Sequence, residues 1–354
     1  MTRSARDDAP ASLDPDPMQG LAAKVAFLRD PRSYPEPTTR VDPVEAHMSW
    51  VFLTDQYAYK LKKPFRRNGI DYSTPQLRRL NCRRELRLNR RLAPDAYLDV
   101  LALTVEARGR FALGGSGDRV DWLVRMRRMP VALTLESRLR SRMATGADAR
   151  QIAARLVPFF SQATHARLSP PSYRRRLLRM VDAAQAKLAH PGFGLDSNRI
   201  AALAAGLRDF VGTRGELLDA RARAGHIVEG HGDLRPEHIY LTRPPTVMDC
   251  IEFDRSLRLR DPVEELAFLA MECDRGDCRQ FDGWLFAEYQ ARSHDQPPRA
   301  LVDFYKALSA FARARIAIWH LDDPDTGPRQ CWIDCANDYL AHAAGYLQRI
   351  ARAD

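Results

Sequence analysis

Gly230-His231-Gly232-Asp233-Leu234-Arg235-Pro236-Glu237-His238-Ile239-Tyr240-Leu241 is the densest polar cluster in the chain. It runs straight on into Thr242-Arg243-Pro244-Pro245-Thr246-Val247-Met248-Asp249. The polar loop is anchored by Ile227-Val228 before it and by an apolar triplet after it. An Asp beside Gly on such a loop can accept a proton from an alcohol. Asp249 then falls inside a short apolar strand. Burying a carboxylate there is costly unless it is paired or binds a metal. Between Asp233 and Asp249 there is room for a loop, a strand, a turn and a second strand. A β-hairpin of that size brings both carboxylates to one end of a cleft.

Around this stretch the chain reads as two different halves. Before it, Met48–Thr54 reads as a strand, Asp55-Gln56 as a turn and Tyr57–Lys62 as the return strand. Thr74 followed by Pro75 predicts a helix start, a capping side chain and then proline at the first helical position. That helix runs to about Leu92, with Leu77, Leu80, Leu88 and Leu92 as its apolar stripe. Tyr97–Val105, Arg110–Leu113 and Asp121–Arg127 predict further strands, the last two joined by the glycine-rich turn at 114–118. After Pro130 helices dominate, at about 148–167, 173–189, 198–211, 213–224, 262–274, 280–292, 299–320 and 330–351. The fold class is therefore α+β and two-lobed. Residues 1–34 are expected to be a disordered tail or a short helix. Residues 35–130 form a small sheet-plus-helix lobe. Residues 131–354 form a larger, mainly helical lobe that contains the short β segment at 227–254. A ligand cleft between lobes is the natural expectation.

The 354 residues are 45% hydrophobic and 28% charged, which excludes a wholly disordered or fibrous chain. No apolar run approaches the ~20 residues of a membrane span. Nothing at the start resembles a secretory signal, so a cytoplasmic location and no membrane partner are expected. Six cysteines without a C-x-x-C pair fit a reducing compartment. The net charge of +10 favours anionic ligands such as nucleotides, phospho-substrates or nucleic acid. No helix-turn-helix, zinc or aromatic-basic motif supports nucleic acid as the partner. Only six residues are lysine, and three of them fall within Lys60–Lys63.

The H-G-D-x-x-x-x-H stretch followed by V-M-D resembles the aminoglycoside phosphotransferase and choline kinase superfamily, which has the protein-kinase-like fold. There the usual pattern is H-G-D-x-x-x-x-N, then an Asp after a hydrophobic pair. The resemblance implies that Asp233 is the catalytic Asp that orients or deprotonates the acceptor hydroxyl. It makes Asp249 the metal-binding Asp and His231 a loop scaffold. Asp261-Pro262-Val263-Glu264-Glu265-Leu266-Ala267 resembles the family's D-P-x-x-D-L-A helix start, with Glu265 in place of Asp. Ala46–Leu53, Tyr59–Pro64 and Glu85–Asp95 resemble one bacterial branch of the superfamily. Its longer members fuse this module to a P-loop ATPase domain. The chain has no Gly-Lys pair and hence no Walker A motif, so it is expected to be the stand-alone kinase-like module.

A phosphoryl-transfer site needs a cation on the phosphates, a metal clamp and a positioned acceptor. Lys60 takes the place of the kinase β3 lysine. Lys62, on the same face by the two-residue period, is the fallback. Glu85 lies within ~20° of Leu92 on the helical wheel, where a lone carboxylate wants a cation, so a Lys60–Glu85 pair is expected. Val124–Pro130 becomes the hinge, with Met126 and Met129 as soft walls for adenine. The implied cofactors are ATP and Mg²⁺, or Mn²⁺, and the partners are a nucleotide and a small-molecule acceptor.

His238 stands where the family has Asn, and imidazole is a poor ligand for Mg²⁺. That departure leaves four readings: one metal, recruitment of Glu237 or Glu252, preference for Mn²⁺, or an inactive site. Asp254 is an alternate ligand. No glycine-rich loop precedes Lys60. Three functions follow: an ATP- and metal-dependent phosphotransferase acting on a small-molecule hydroxyl, a pseudokinase with a nucleotide-binding or scaffold role that admits a protein partner, and, with least support, a nucleic-acid-binding protein. The acids Glu264, Glu265, Glu272, Asp274 and Asp277 either suit a cationic acceptor or sit at a helix start and on its solvent face.

Overall fold

The computed structural model describes residues 17–67, 70–322 and 327–352. The expectation for residues 1–16 lies outside them. The described residues divide into two compact units. One takes in residues up to Arg90 together with Pro94–Arg128; the other takes Arg91–Ala93 and everything from Met129 onward.

The first unit is built on an antiparallel sheet. Its elements are α1 (Pro17–Arg29), β1 (Asp42–Glu45), β2 (Ser49–Leu53), β3 (Tyr57–Lys62), a two-residue hairpin of β4 (Arg66–Arg67) and β5 (Ile70–Asp71), α2 (Pro75–Asn89), β6 (Tyr97–Val105), β7 (Phe111–Leu113) and β8 (Asp118–Arg127). Six strands run in the order β1-β2-β3-β8-β6-β7. The β2–β3 turn is locked by Thr54, whose hydroxyl accepts from the Tyr57 N–H at 3.0 Å. The helix α1 belongs to this unit, and its Leu21, Val25 and Leu28 pack with Phe52, Tyr59, Leu61 and Leu123 into one apolar cluster.

As read from the sequence, α2 begins after a Thr74 cap, and the Thr74 hydroxyl accepts from the Leu77 N–H. Its inward stripe differs from expectation. The buried side chains are Arg78, Asn81, Cys82, Glu85, Leu88 and Asn89, while Leu80 is 45% exposed. Leu92 lies beyond the helix, in the second unit. The reason is charge satisfaction. Arg78 grips both oxygens of the buried Asp121 on β8, at 2.7 and 2.8 Å, so the helix docks through a bidentate pair as well as through Leu88 and Cys82. The arginine run at 78–91 is accordingly no uniform solvated face. Arg78 is buried, and Arg79 lies over the Trp122 ring.

The second unit contains α3 (Leu135–Arg140), α4 (Gly146–Gln162), α5 (Pro170–Leu188), α6 (Ser197–Thr213), α7 (Gly215–Arg223), β9 (Val228–Glu229), β10 (Ile239–Tyr240), β11 (Thr246–Val247), β12 (Leu259–Arg260), α8 (Pro262–Arg275), α9 (Gln280–Ser293), α10 (Arg299–Trp319) and α11 (Arg329–Arg352). The eight expected helices are present, and α3 is an addition. The helix α4 stops at Gln162, short of the expected 167. Residues just beyond it turn extended and pair with the entry to the polar loop: Glu229 N–H donates to the Thr164 carbonyl at 2.8 Å and Ala166 N–H to Ile227 at 2.7 Å.

The acids of α8 depart from the expected solvent face: Glu264 and Glu265 do stand in its first turn, but the stretch is mostly buried. Glu264 is fully buried, with Arg260 and Arg176 on its two oxygens. Asp274 pairs with the buried Lys306 at 2.7 Å, and Glu272 with Arg275 at 2.9 Å. These acids are internal counter-charges. Only Asp277 is exposed.

Candidate functional site

In the first unit, β3 and α2 bring three charged groups together. Lys60 Nζ lies 2.9 Å from Glu85 Oε1, and Lys62 Nζ donates to Glu85 Oε2 at 2.6 Å. Both lysines share the carboxylate, because the period of the strand puts them on one face. Glu85 is inaccessible and Lys62 is 2% exposed, whereas the Lys60 side chain keeps 15%. Lys60 is thus the more exposed of the two side chains. Lys63 points away and pairs with Glu45. Met126 is buried in the same unit, paired across the ladder with Ala58 and Tyr97. Met129 opens the second unit.

In the second unit, β10 pairs with β11 as an antiparallel hairpin, with Ile239 opposite Val247 and Tyr240 opposite Thr246. Its two ends carry Asp233 and Asp249. Between these sits His238. The His238 Nδ1 lies 2.9 Å from the Asp233 carbonyl oxygen and therefore carries a proton to donate. The opposite nitrogen, Nε2, lies 3.6 Å from Asp249 Oδ2. One imidazole thus spans the two acids. Asp249 has φ +62 and its side chain is 48% exposed. A left-handed Asp is uncommon, and such residues gather at functional sites.

His231 is wholly internal. Its Nε2–H donates to the Met248 carbonyl at 2.8 Å, and its Nδ1 accepts from the Asp233 N–H at 3.3 Å. Both nitrogens are spent on backbone, and burial holds its pKa down at about 4, so the ring is a neutral brace between the two Asp-bearing segments. Gly232 has φ +89, a conformation that needs glycine, and its N–H donates to Glu265 Oε1 at 2.6 Å. Burial pushes the Glu265 carboxyl up to about 6.

Two supporting residues were not read from the sequence. Arg258 is buried, donates to the Ile251 carbonyl at 2.7 Å and pairs with Glu229 at 2.8 Å. Arg91 donates to the carbonyls of Glu229 and Gly230, each at 2.8 Å. Both staple backbone around the polar loop. They are two arginines among many, so composition offered no signal. A hint lay in Arg258-Leu259-Arg260, a charge alternation typical of a half-buried strand.

Two of the alternate ligands have partners of their own, while Glu252 is buried. Asp254 caps its own short helix through the Ser256 N–H at 2.7 Å, and Glu237 pairs with Arg235. Burial pushes the Cys250 thiol up to about 12, which disfavours the thiolate. Among the described residues, no group of three His, Cys, Asp or Glu side chains could hold a metal. A cation here would meet the Asp249 carboxylate with His238 Nε2 beside it. Mg²⁺ sites commonly use one or two carboxylates plus water and phosphate oxygens, so this donor set fits one ion carried with a nucleotide and not a protein-only cage.

No protein-family profile matches the chain. Among solved structures, the choline kinase of Cryptosporidium parvum superposes with a TM-score of 0.58 at 9% identity, covering 95% of this chain and 97% of that one. The choline kinase LicA of Streptococcus pneumoniae gives 0.56 at 14%, covering 94% and 99%. A thermostable mutant of the aminoglycoside phosphotransferase APH(4)-Ia gives 0.52 at 12%, covering 88% and 95%. The chain has the protein-kinase-like fold of the choline kinases and aminoglycoside phosphotransferases. In this kinase-like chain the polar loop, the hairpin and α8 follow in the order that the 231–267 motifs led one to expect. Curated relatives include the uncharacterized protein Rv2004c of Mycobacterium tuberculosis and Mb2027c of Mycobacterium bovis, each 30% identical over 279 residues and 78% of this chain. The match spans 54% of either relative, so the chain covers about half the length of the curated relatives it matches.

Proposed function

We propose that this kinase-like chain is a phosphotransferase that moves the γ-phosphoryl group of ATP to a hydroxyl of a small molecule. The observation that carries the reading is the His238 imidazole spanning the Asp233 carbonyl and the Asp249 carboxylate, which puts both motif acids around one point of the second unit. Asp233 would orient and deprotonate the acceptor hydroxyl. Asp249 would hold the metal that accompanies the nucleotide, and that ion supplies charge neutralisation on the phosphates. Lys60, kept straight by Glu85, would neutralise phosphate oxygens. A mutant of the structural neighbour APH(4)-Ia, an aminoglycoside phosphotransferase, has been solved in a ternary complex with AMP-PNP and hygromycin B, which supports the same class of reaction here. The transition state of phosphoryl transfer is loose, so positioning and electrostatics carry the catalysis. With the acids of α8 spent on internal partners, they give no reason to favour a cationic acceptor.

The test is thermal stability with ATP, with and without Mg²⁺ or Mn²⁺, on the wild type and on Asp249→Asn. Ligand at ~100 times its Kd adds about 2.7 kcal/mol. A metal-dependent gain, absent in Asp249→Asn, supports the reading and justifies an acceptor screen. No gain with any nucleotide overturns it. One observation favours a second reading, a pseudokinase. His238 fills the position where the motif has Asn, and its imidazole lies beside Asp249. Metal-independent nucleotide binding without turnover would select that alternative.

A further inference from the structure

A cavity of about 610 Å³ opens in the second unit, lined by Arg91, Arg155, Phe159, Gln162, Arg243 and Pro244 among others. The volume is that of a small-molecule pocket. Three arginines line it and no acidic side chain does. Arg155 spends one terminal nitrogen on the Leu92 carbonyl at 3.1 Å, while its buried Nε has no hydrogen-bond partner. Arg243 stands exposed in the connection between β10 and β11, with no ion pair or hydrogen bond of its side chain among the described residues. Two other buried arginines of this unit do have carboxylates: Arg221 has Asp261 and Asp295, and Arg258 has Glu229. The Phe159 ring, with Arg91 stacked over it at 5.0 Å, and the prolines supply a flat apolar wall.

The cavity also touches the supports of the polar loop. Arg91 holds the Glu229 and Gly230 carbonyls and contacts the Cys250 sulfur at 3.2 Å, so its guanidinium meets backbone just before Asp233 and the residue just after Asp249. Arg243 sits within the hairpin that joins those two acids. We infer that this cavity is a second binding site, for a small molecule with two or more acidic groups on a flat, mostly apolar body. Its ligand bridges α4 to the β10–β11 connection and so tunes the loop that carries Asp233. The tuning rests on the proposed phosphotransfer; the binding does not.

Calorimetric titration of the whole chain with phthalate and with inorganic pyrophosphate, against sodium chloride at matched ionic strength, tests this. Saturable binding of either probe is expected, preserved in Asp249→Asn and weakened about tenfold in Arg243→Gln, the loss of one charge-assisted contact. Arg243 is exposed, so its substitution leaves the unfolding midpoint in place, and that midpoint is measured alongside. Tighter phthalate identifies a carboxylate ligand, and tighter pyrophosphate a phosphorylated one. No saturable binding beyond the chloride control, binding unchanged in Arg243→Gln, or binding lost in Asp249→Asn each overturns the inference. The last outcome would place the anion at the nucleotide site instead.

Discussion

Lys62 Nζ lies 2.6 Å from Glu85 Oε2, and neither side chain has appreciable contact with solvent. Lys60 takes the other carboxylate oxygen at 2.9 Å. One carboxylate therefore offsets two ammonium groups under the sheet. Removing the shared partner leaves both cations buried without it, which costs about 3–5 kcal/mol. Glu85→Gln is expected to lower the urea midpoint accordingly, at unchanged slope. Lys60→Met should cost far less, since Lys62 keeps Glu85 neutralised and Lys60 is the more exposed lysine. Equal losses in the two variants would show that Glu85 is not the shared support. Nucleotide affinity should move the other way: Lys60→Met weakens it even where stability is nearly unchanged.

Asp233 and Asp249 flank the same imidazole but differ in what they offer, and their variants should separate. Asp233→Asn removes the base and keeps the size of the side chain. Turnover should fall by about 10²–10⁴, while the metal-dependent stabilisation by ATP persists. Asp249→Asn should lose both. Initial-rate assays and melting curves on the two variants decide this. Loss of nucleotide stabilisation in Asp233→Asn would mean that its role is structural.

The order of elements was legible because local rules act strongly here: Thr74-Pro75 starts α2, and Tyr57–Lys62 alternates in step with its strand. The Lys60–Glu85 approach was legible for the same reason, since strand and helix periods fix facing side chains. The polar stripe of α2 was not. Leucine periodicity rightly put Leu88 inside, but a bidentate Arg78–Asp121 pair, set by a residue 43 positions away, turned the buried stripe away from Leu80. The buried fate of Glu264 and Asp274 was hidden likewise, because their counter-charges Arg176 and Lys306 come from distant helices. Long-range charge pairing leaves no local periodic trace.

Glycine at 230 is held by a side chain that reaches in from α8. A Cβ there would lie 2.6 Å from Glu265 Oε1 and 2.9 Å from its Cδ. The carboxylate cannot withdraw without giving up the Gly232 N–H. Gly230→Ala should therefore cost about 1–3 kcal/mol, the penalty of an unsatisfied buried donor. The shorter acid in Glu265→Asp gives the new methyl room. The double variant should consequently lose less than the sum of the two single losses. Strict additivity in chemical denaturation would show that the two positions do not collide.

His231 and Glu265 brace the same loop and titrate in opposite senses. Burial lowers the His231 pKa from 6.5 to about 4, so the folded state resists the proton. Its contribution to stability is fully present above pH ~6.5 and is lost as pH falls through 4, roughly 3 kcal/mol in all. Burial raises Glu265 from 4.5 to about 6, so the folded state favours the proton. Its contribution is fully present below pH ~4.5 and is lost as pH rises through 6, roughly 2 kcal/mol. Between pH 4.5 and 6 the two slopes oppose each other, and this part of the wild-type profile should be nearly flat. Glu265→Gln removes the falling slope and leaves the rising one of His231. Unfolding free energies from urea titrations between pH 4.5 and 7.5 should thus rise by about 2 kcal/mol more in Glu265→Gln than in the wild type. Parallel profiles would show that Glu265 stays ionised throughout, its burial offset by the nearby Arg260 and the Gly232 N–H.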